Sequence, residues 1–127
     1  KALELPLPDE LLGYVLDEDM PVLYRRALAL VMPTFFGPTN IPPLEAMAVG
    51  CPMAVSNIYA MPEQVGEAAL LFDPGSVDEM AEAIGRLATD DGLRQRLVEA
   101  GRARSAHWGQ TQFNARVRDI IETALRA

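Results

Sequence analysis

The sequence predicts an α/β fold, a parallel sheet followed by a helical tail, on three observations. Short apolar runs alternate with segments of helical period as far as residue 75. One of those runs, Ala29 to Met32, is continuously apolar, as suits a strand covered on both faces. From residue 76 to residue 127 only the helical period remains. Strands that alternate with helices form parallel sheets, because each crossover helix returns the chain to the same end of the sheet.

Bulk composition narrows the field. A chain of 127 residues fits one domain, residues 1–127, and can bury a core of its own. Half of its residues are hydrophobic and 23% are charged, the balance of a globular, soluble chain rather than a disordered one. No stretch approaches the roughly 18 apolar residues of a membrane span. The longest, Ala27 to Phe36, is broken at Pro33, so the chain is expected not to be transmembrane. Its start has no apolar signal-peptide segment. Cys51 is the single cysteine, which excludes an internal disulfide and a cysteine metal site. A cytoplasmic setting is expected, with the inner face of the membrane left open for a longer chain. The net charge of −7 disfavours nucleic acid as a partner.

Residues 1–10, with Pro6 and Pro8, read as a lead-in loop. The lack of a starting Met and of a recognisable first element points to a piece of a longer protein. The α/β part is expected over 11–75 and the helical tail over 76–127. Leu11 to Leu16 is a short strand candidate. Asp17 to Asp19 offer helix caps ahead of Pro21, and Leu23, Tyr24, Ala27 and Leu28 fall on one helical face. Ala29 to Met32 is the second strand, Pro52 to Ser56 the third and Ala69 to Phe72 the fourth, ended by Asp73-Pro74-Gly75. Between the last two, Asn57 to Gly66 reads as a loop or a one-turn helix holding Pro62, Glu63 and Gln64.

The tail opens with Ser76-Val77-Asp78-Glu79, a capping box. Val77, Met80, Ala81, Ile84, Leu87 and Ala88 follow as one apolar stripe. A second helix is expected from about Asp91 to Gly101, with Leu93 and Leu97 inward. After His107-Trp108-Gly109 a third carries Phe113, Val117, Ile120, Ile121 and Ala124 on one face.

The chemistry concentrates in the stretch from Phe35 to Gly50. A loop of Gly, Pro, Thr and Asn opens a short helix whose first turn is expected to carry Pro42, Pro43 and Glu45 and which stops at Gly50. A helix N-terminus offers unpaired N–H groups and the positive end of a dipole, hence an anion site. Ligands of parallel sheets bind at the carboxyl ends of the strands, where three loops should converge: Leu16 to Asp19, Pro33 to Pro43 and Asn57 to Gly66. Lys and Arg are absent between Arg26 and Arg86, so a phosphate held by this segment is held by backbone and dipole.

Four groups of residues, in order, resemble the C-terminal half of retaining GT-B glycosyltransferases of family 4, the group 1 transferases. They are Leu12-Gly13-Tyr14-Val15 with Leu23-Tyr24-Arg25-Arg26-Ala27; Pro42 to Pro52; Ser56-Asn57 with Met61 to Gly66; and Ala69 to Pro74. The resemblance covers roughly residues 12–108. It implies a partial Rossmann-like sheet that binds a nucleotide-sugar donor, with no metal and no other cofactor. It also implies transfer of a hexose-type sugar from a UDP-, GDP- or ADP-sugar to an acceptor hydroxyl with retention.

The family's signature is two Glu residues separated by seven others. Glu45 matches the second, which accepts hydrogen bonds from ribose hydroxyls, and Leu44 matches a position whose N–H meets the donor phosphate. The first Glu falls on Gly37, and Gly37-Pro38-Thr39-Asn40 replaces the usual Glu-Gly-Phe-Gly. Gly37, Thr39, Asn40, Ile41 and Pro43 therefore complete the donor-binding set around Leu44 and Glu45, with altered sugar recognition and no catalytic residue assigned. The partners implied are the donor, an acceptor and an N-terminal domain of the same protein, which in the family also brings the Arg and Lys that clamp the diphosphate. The chain alone is then expected to be inactive, and an uncovered sheet edge could pair with a second copy. Two other readings stay open: a GT-B-fold nucleotide-sugar epimerase, and a non-catalytic interaction module whose donor site has decayed.

Local explanations compete for the same residues. An acidic residue such as Glu45 is favoured near a helix start by the dipole, and Thr39 and Asn40 suit turns and caps. Glu63 is explained by an acidic helix start. Cys51 reads as a small buried filler, and the lone His107 makes neither triad nor metal site. Trp108 is expected to anchor the final helix.

Overall fold

The structure, a computed structural model, describes residues 12–127; the lead-in over 1–10 and Leu11 lie outside the described residues. Three short strands, β1 (Leu30–Met32), β2 (Met53–Ser56) and β3 (Leu70–Phe72), form one parallel sheet in the order β1-β2-β3. Leu30 pairs with Met53 and Ala54 with Leu70, so each strand follows its predecessor in register. All four residues of β2 are buried, the pattern of a central strand covered on both faces.

Alternate β2 side chains feed two cores because successive residues of a strand face opposite ways. Met53 and Val55 join Tyr24, Ala46, Met47, Met61 and Val65 on one face. Ala54 joins Phe72, Ala83, Leu87, Leu93 and Leu97 on the other. The helices around them are α1 (Met20–Arg26), α2 (Ile41–Val49), α3 (Met61–Val65), α4 (Val77–Thr89), α5 (Asp91–Ser105) and α6 (Gln110–Arg126). A single 3₁₀ turn, Gly66–Ala68, links α3 to β3. Gly50 ends α2 in the left-handed conformation, φ +81°, and the Ala46 carbonyl accepts from both Gly50 and Cys51 N–H.

Several sequence expectations need correcting. Residues 12–16 form no strand: Gly13 takes φ +66°, which breaks an extended run, and the Leu16 carbonyl is used by the turn into α1. The sheet therefore has three strands among the described residues rather than four. The box at Ser76 is half made. Ser76 Oγ accepts from Glu79 N–H at 3.2 Å, but the Glu79 carboxylate reaches back to Asp73 N–H at 2.7 Å and closes the turn after β3 instead. On α4 the buried face is Ala83 and Leu87, with Val77 and Ile84 exposed. Ala83 lies outside the expected stripe, and Ala81 and Ala88 within it are exposed, so the face that α4 buries is rotated from the stripe towards Ala83.

The second tail helix runs four residues beyond Gly101, to Ser105. The third forms as expected, yet none of its residues is buried, so the Phe113, Val117, Ile120 and Ile121 stripe is not core within this chain. Trp108 is 65% exposed and does not anchor α6.

Candidate functional site

The loops after β1 and β2 meet at the N-terminus of α2, at the carboxyl end of the sheet. Asn40 stands at the N-cap in extended backbone, but its side chain makes no capping bond. It turns back instead, Nδ2 donating to the Gly37 carbonyl at 3.4 Å. Pro42 and Pro43 carry no N–H, so only Ile41 offers one among the first three helical positions. The dipole of α2 remains, while the set of donors is smaller than a generic helix start would provide.

One residue that sequence reasoning passed over organises this loop. Gln64, buried on α3, pairs its side-chain amide with the backbone of Asn40, 24 residues earlier. Asn40 N–H donates to Gln64 Oε1 at 3.1 Å, and Gln64 Nε2 donates to the Asn40 carbonyl. Both polar groups of the N-cap residue are thereby satisfied by one buried side chain. Gln64 is held in turn by Arg104 of α5. The Arg104 Nε donates to the Gln64 carbonyl at 2.8 Å, and its Nη2 donates to the Glu63 carbonyl. The only hint in the sequence was a Gln directly after the acidic start of α3.

Glu45 lies in the second turn of α2, not the first, so attraction to the dipole does not by itself account for it. It is exposed, and its Oε2 accepts from the Tyr24 hydroxyl at 2.8 Å. Burial, reinforced by the carboxylate, pushes the Tyr24 phenol up to about 12, so it remains a neutral donor across the working range of pH. Burial likewise pushes the Cys51 thiol up, which favours the inert filler over a nucleophile.

The other expected residues divide by exposure. Gly37 and Pro43 are buried, Asn40 and Leu44 half-buried, Thr39 and Ile41 exposed. Thr39 and Leu44 line a cleft of about 450 Å³ with Ala60, Glu63, Gln64 and Trp108. A second concavity of about 660 Å³, lined wholly by tail residues between His107 and Asp119, meets it at Trp108. Beside the loop, the exposed rings of Phe36 and Tyr59 sit edge to face with centroids 5.8 Å apart, Tyr59 holding φ +46°. Among the described residues no three His, Cys, Asp or Glu side chains gather in a way that could hold a metal ion, and no helix is long and apolar enough to cross a membrane.

A doubly covered parallel sheet with a helix N-terminus, a cleft and an anchored carboxylate at its strand ends has the layout of the α/β class, in which the carboxyl ends of the strands are where ligands are generally held. The profile of the glycosyl transferases group 1 family matches residues 2–104, and the chain belongs to that family. It is 42% identical over 94 residues to O-antigen chain mannosyltransferase B of Escherichia coli, covering 74% of this chain and 25% of that protein. It is 36% identical over 92 residues to the MMP alpha-(1->4)-mannosyltransferase of Mycolicibacterium hassiacum, covering 70% of this chain and 22% of the relative. The chain thus spans about a quarter of the length of these curated relatives. Sucrose-phosphate synthase from Thermosynechococcus elongatus superposes with a TM-score of 0.75 at 24% identity, over 87% of this chain and 29% of that one. The fold is accordingly the C-terminal part of a GT-B glycosyltransferase.

Proposed function

We propose that this chain is the nucleotide-sugar-holding part of a retaining, metal-independent, family 4-type glycosyltransferase that acts in the cytoplasm. The anomeric bond to the diphosphate breaks, the nucleoside diphosphate leaves with the bonding electron pair, and the acceptor hydroxyl oxygen bonds the anomeric carbon with retention as its proton passes to the departing phosphate. Glu45 holds the ribose hydroxyls, the Leu44 N–H and the α2 dipole hold phosphate, and Gly37 to Ile41 face the sugar. The acceptor site and the cationic clamp on the diphosphate belong to the rest of a longer chain. The mannosyltransferase names of two relatives support a hexose and make a mannosyl donor the first to try.

One observation carries the reading: an exposed carboxylate held in place by a buried tyrosine, one helical turn from an α-helix N-terminus at the carboxyl end of a parallel sheet. Titrating UDP, GDP and ADP by calorimetry into this chain and into the full-length protein tests it. The full-length protein should bind one of them, and Glu45→Ala should weaken that binding roughly tenfold or more, the worth of a charged hydrogen bond. Unchanged affinity in Glu45→Ala removes the ribose role. Transfer that survives chelation of divalent ions tests metal independence.

Gly37 favours a second reading, the non-catalytic module. The family's first carboxylate is missing, and the space its Cβ would need is taken. A full-length protein that binds no nucleotide would favour it, whereas donor consumption without acceptor would favour an epimerase.

A further inference from the structure

We infer that Tyr24 is the positioning residue for the diol-holding carboxylate, fixing Glu45 so that a vicinal ribose diol meets it in one orientation. This inference rests on the function proposed above and names the part of the site that discriminates ribonucleotide from deoxyribonucleotide donors.

The argument starts with burial. Tyr24 is the one buried side chain of α1, and it is 8% exposed while Glu45 is exposed. Its ring packs with Ala46, Met47 and Cys51 in the core cluster, so its position is set by the fold rather than by Glu45. A buried tyrosine hydroxyl requires a partner, and the Glu45 carboxylate supplies it at 2.8 Å. The constraint acts in the other direction as well. An exposed glutamate on a helix samples several rotamers, and a hydrogen bond from an immobile donor selects one of them.

Among the described residues the bond engages Oε2 alone, which leaves Oε1 and the second lone pair of Oε2 to accept from a ligand. A carboxylate held in this way matches two adjacent hydroxyl donors. A loose carboxylate would have to be ordered by the ligand at a cost in affinity. Tyr24 donates without touching the ligand, so it is a positioning residue rather than a catalytic one.

The experiment uses the full-length protein and compares a ribonucleoside diphosphate with its 2′-deoxy and 3′-deoxy analogues by calorimetry. In Tyr24→Phe the affinity for the ribonucleotide should fall about three- to tenfold, the range of one hydrogen bond, while the deoxy analogues change less than twofold. The ratio of ribo to deoxy affinity is the deciding readout, because a purely structural tyrosine would weaken all three alike. Phe fills the same space and the freed carboxylate returns to water, so the variant should fold. Tyr24→Leu, which also lacks the hydroxyl, gives the same readout should it not. A wild-type ratio in Tyr24→Phe, alongside loss of discrimination in Glu45→Ala, overturns the positioning role and leaves the proposed function standing. Discrimination that survives Glu45→Ala overturns both.

Discussion

The side chain of Asn40 occupies the space in which a side chain at Gly37 would begin. A Cβ built on Gly37 would lie 2.6 Å from Asn40 Oδ1 and 2.9 Å from its Nδ2, and Gly37 itself takes φ +139°. The residues at positions 37 and 40 are therefore coupled. A side chain at 37 would have to displace the Asn40 side-chain amide from the place it holds here.

Gly37→Ala should lower stability by about 1–3 kcal/mol, since it combines a strained φ with a clash. Part of the loss is steric, so it should be recovered when Asn40→Gly is added. The φ contribution should persist. Urea denaturation of the single and double variants measures the coupling, and strictly additive losses would show that the two side chains do not compete.

The Gln64–Asn40 pairing predicts a second loss. Gln64→Leu keeps the apolar volume on α3 but leaves the N–H and C=O of Asn40 without their partner. Unpaired polar groups in a partly buried loop cost about 1–3 kcal/mol together. The Asn40 amide should exchange with deuterium markedly faster in the variant, while amides of β2 keep their protection. Equal protection of the Asn40 amide in both proteins would remove Gln64 as the clamp.

Where α5 crosses α2, Gly101 is buried, and a Cβ there would meet Met47 Cγ at 3.2 Å and Met47 Cα at 3.4 Å. Backbone cannot retreat as a side chain can, so anything larger than alanine must push the helices apart. Gly101→Val should cost about 1–3 kcal/mol by overpacking. Adding Met47→Ala should return only the part due to the Met47 side chain. A Gly101→Val variant as stable as the wild type would mean that the helices separate freely.

What the sequence made legible was local or periodic. Pro42, Pro43 and Gly50 bracket α2 through rules that act within one turn, and β1 to β3 each fall on a short apolar run, that of β2 ending in Ser56. Tyr24 fell on the right face because a period of 3.6 places it there, but the target of its hydroxyl lies 21 residues further on. The Gln64 clamp spans 24 residues with no periodic signal at all. The expected strand at Leu11 to Leu16 failed over its described residues because an apolar run becomes a strand only beside a partner. The stripe on α6 is a true helical face, but burial depends on what packs against it, and within this chain nothing buries it.

The Tyr24 phenol also predicts how stability depends on pH. Its ordinary value is 10.0, and burial, then the hydrogen bond and charge of Glu45, push it up to about 12 in the folded protein. A raised value means that the folded state holds this proton more tightly than the unfolded chain does. The stabilisation is therefore fully present below pH 10 and is lost as pH rises from 10 towards 12. Tyr24→Phe has no proton to lose at this position and should show a shallower decline over the same interval. The advantage of the wild type over Tyr24→Phe, about 0.5–1.5 kcal/mol at pH 8, should therefore shrink as pH rises from 10 towards 12. Urea midpoints taken at intervals from pH 8 to pH 11.5 decide the matter. Parallel curves would mean that the Tyr24 proton is held no more tightly in the folded state than in the unfolded one.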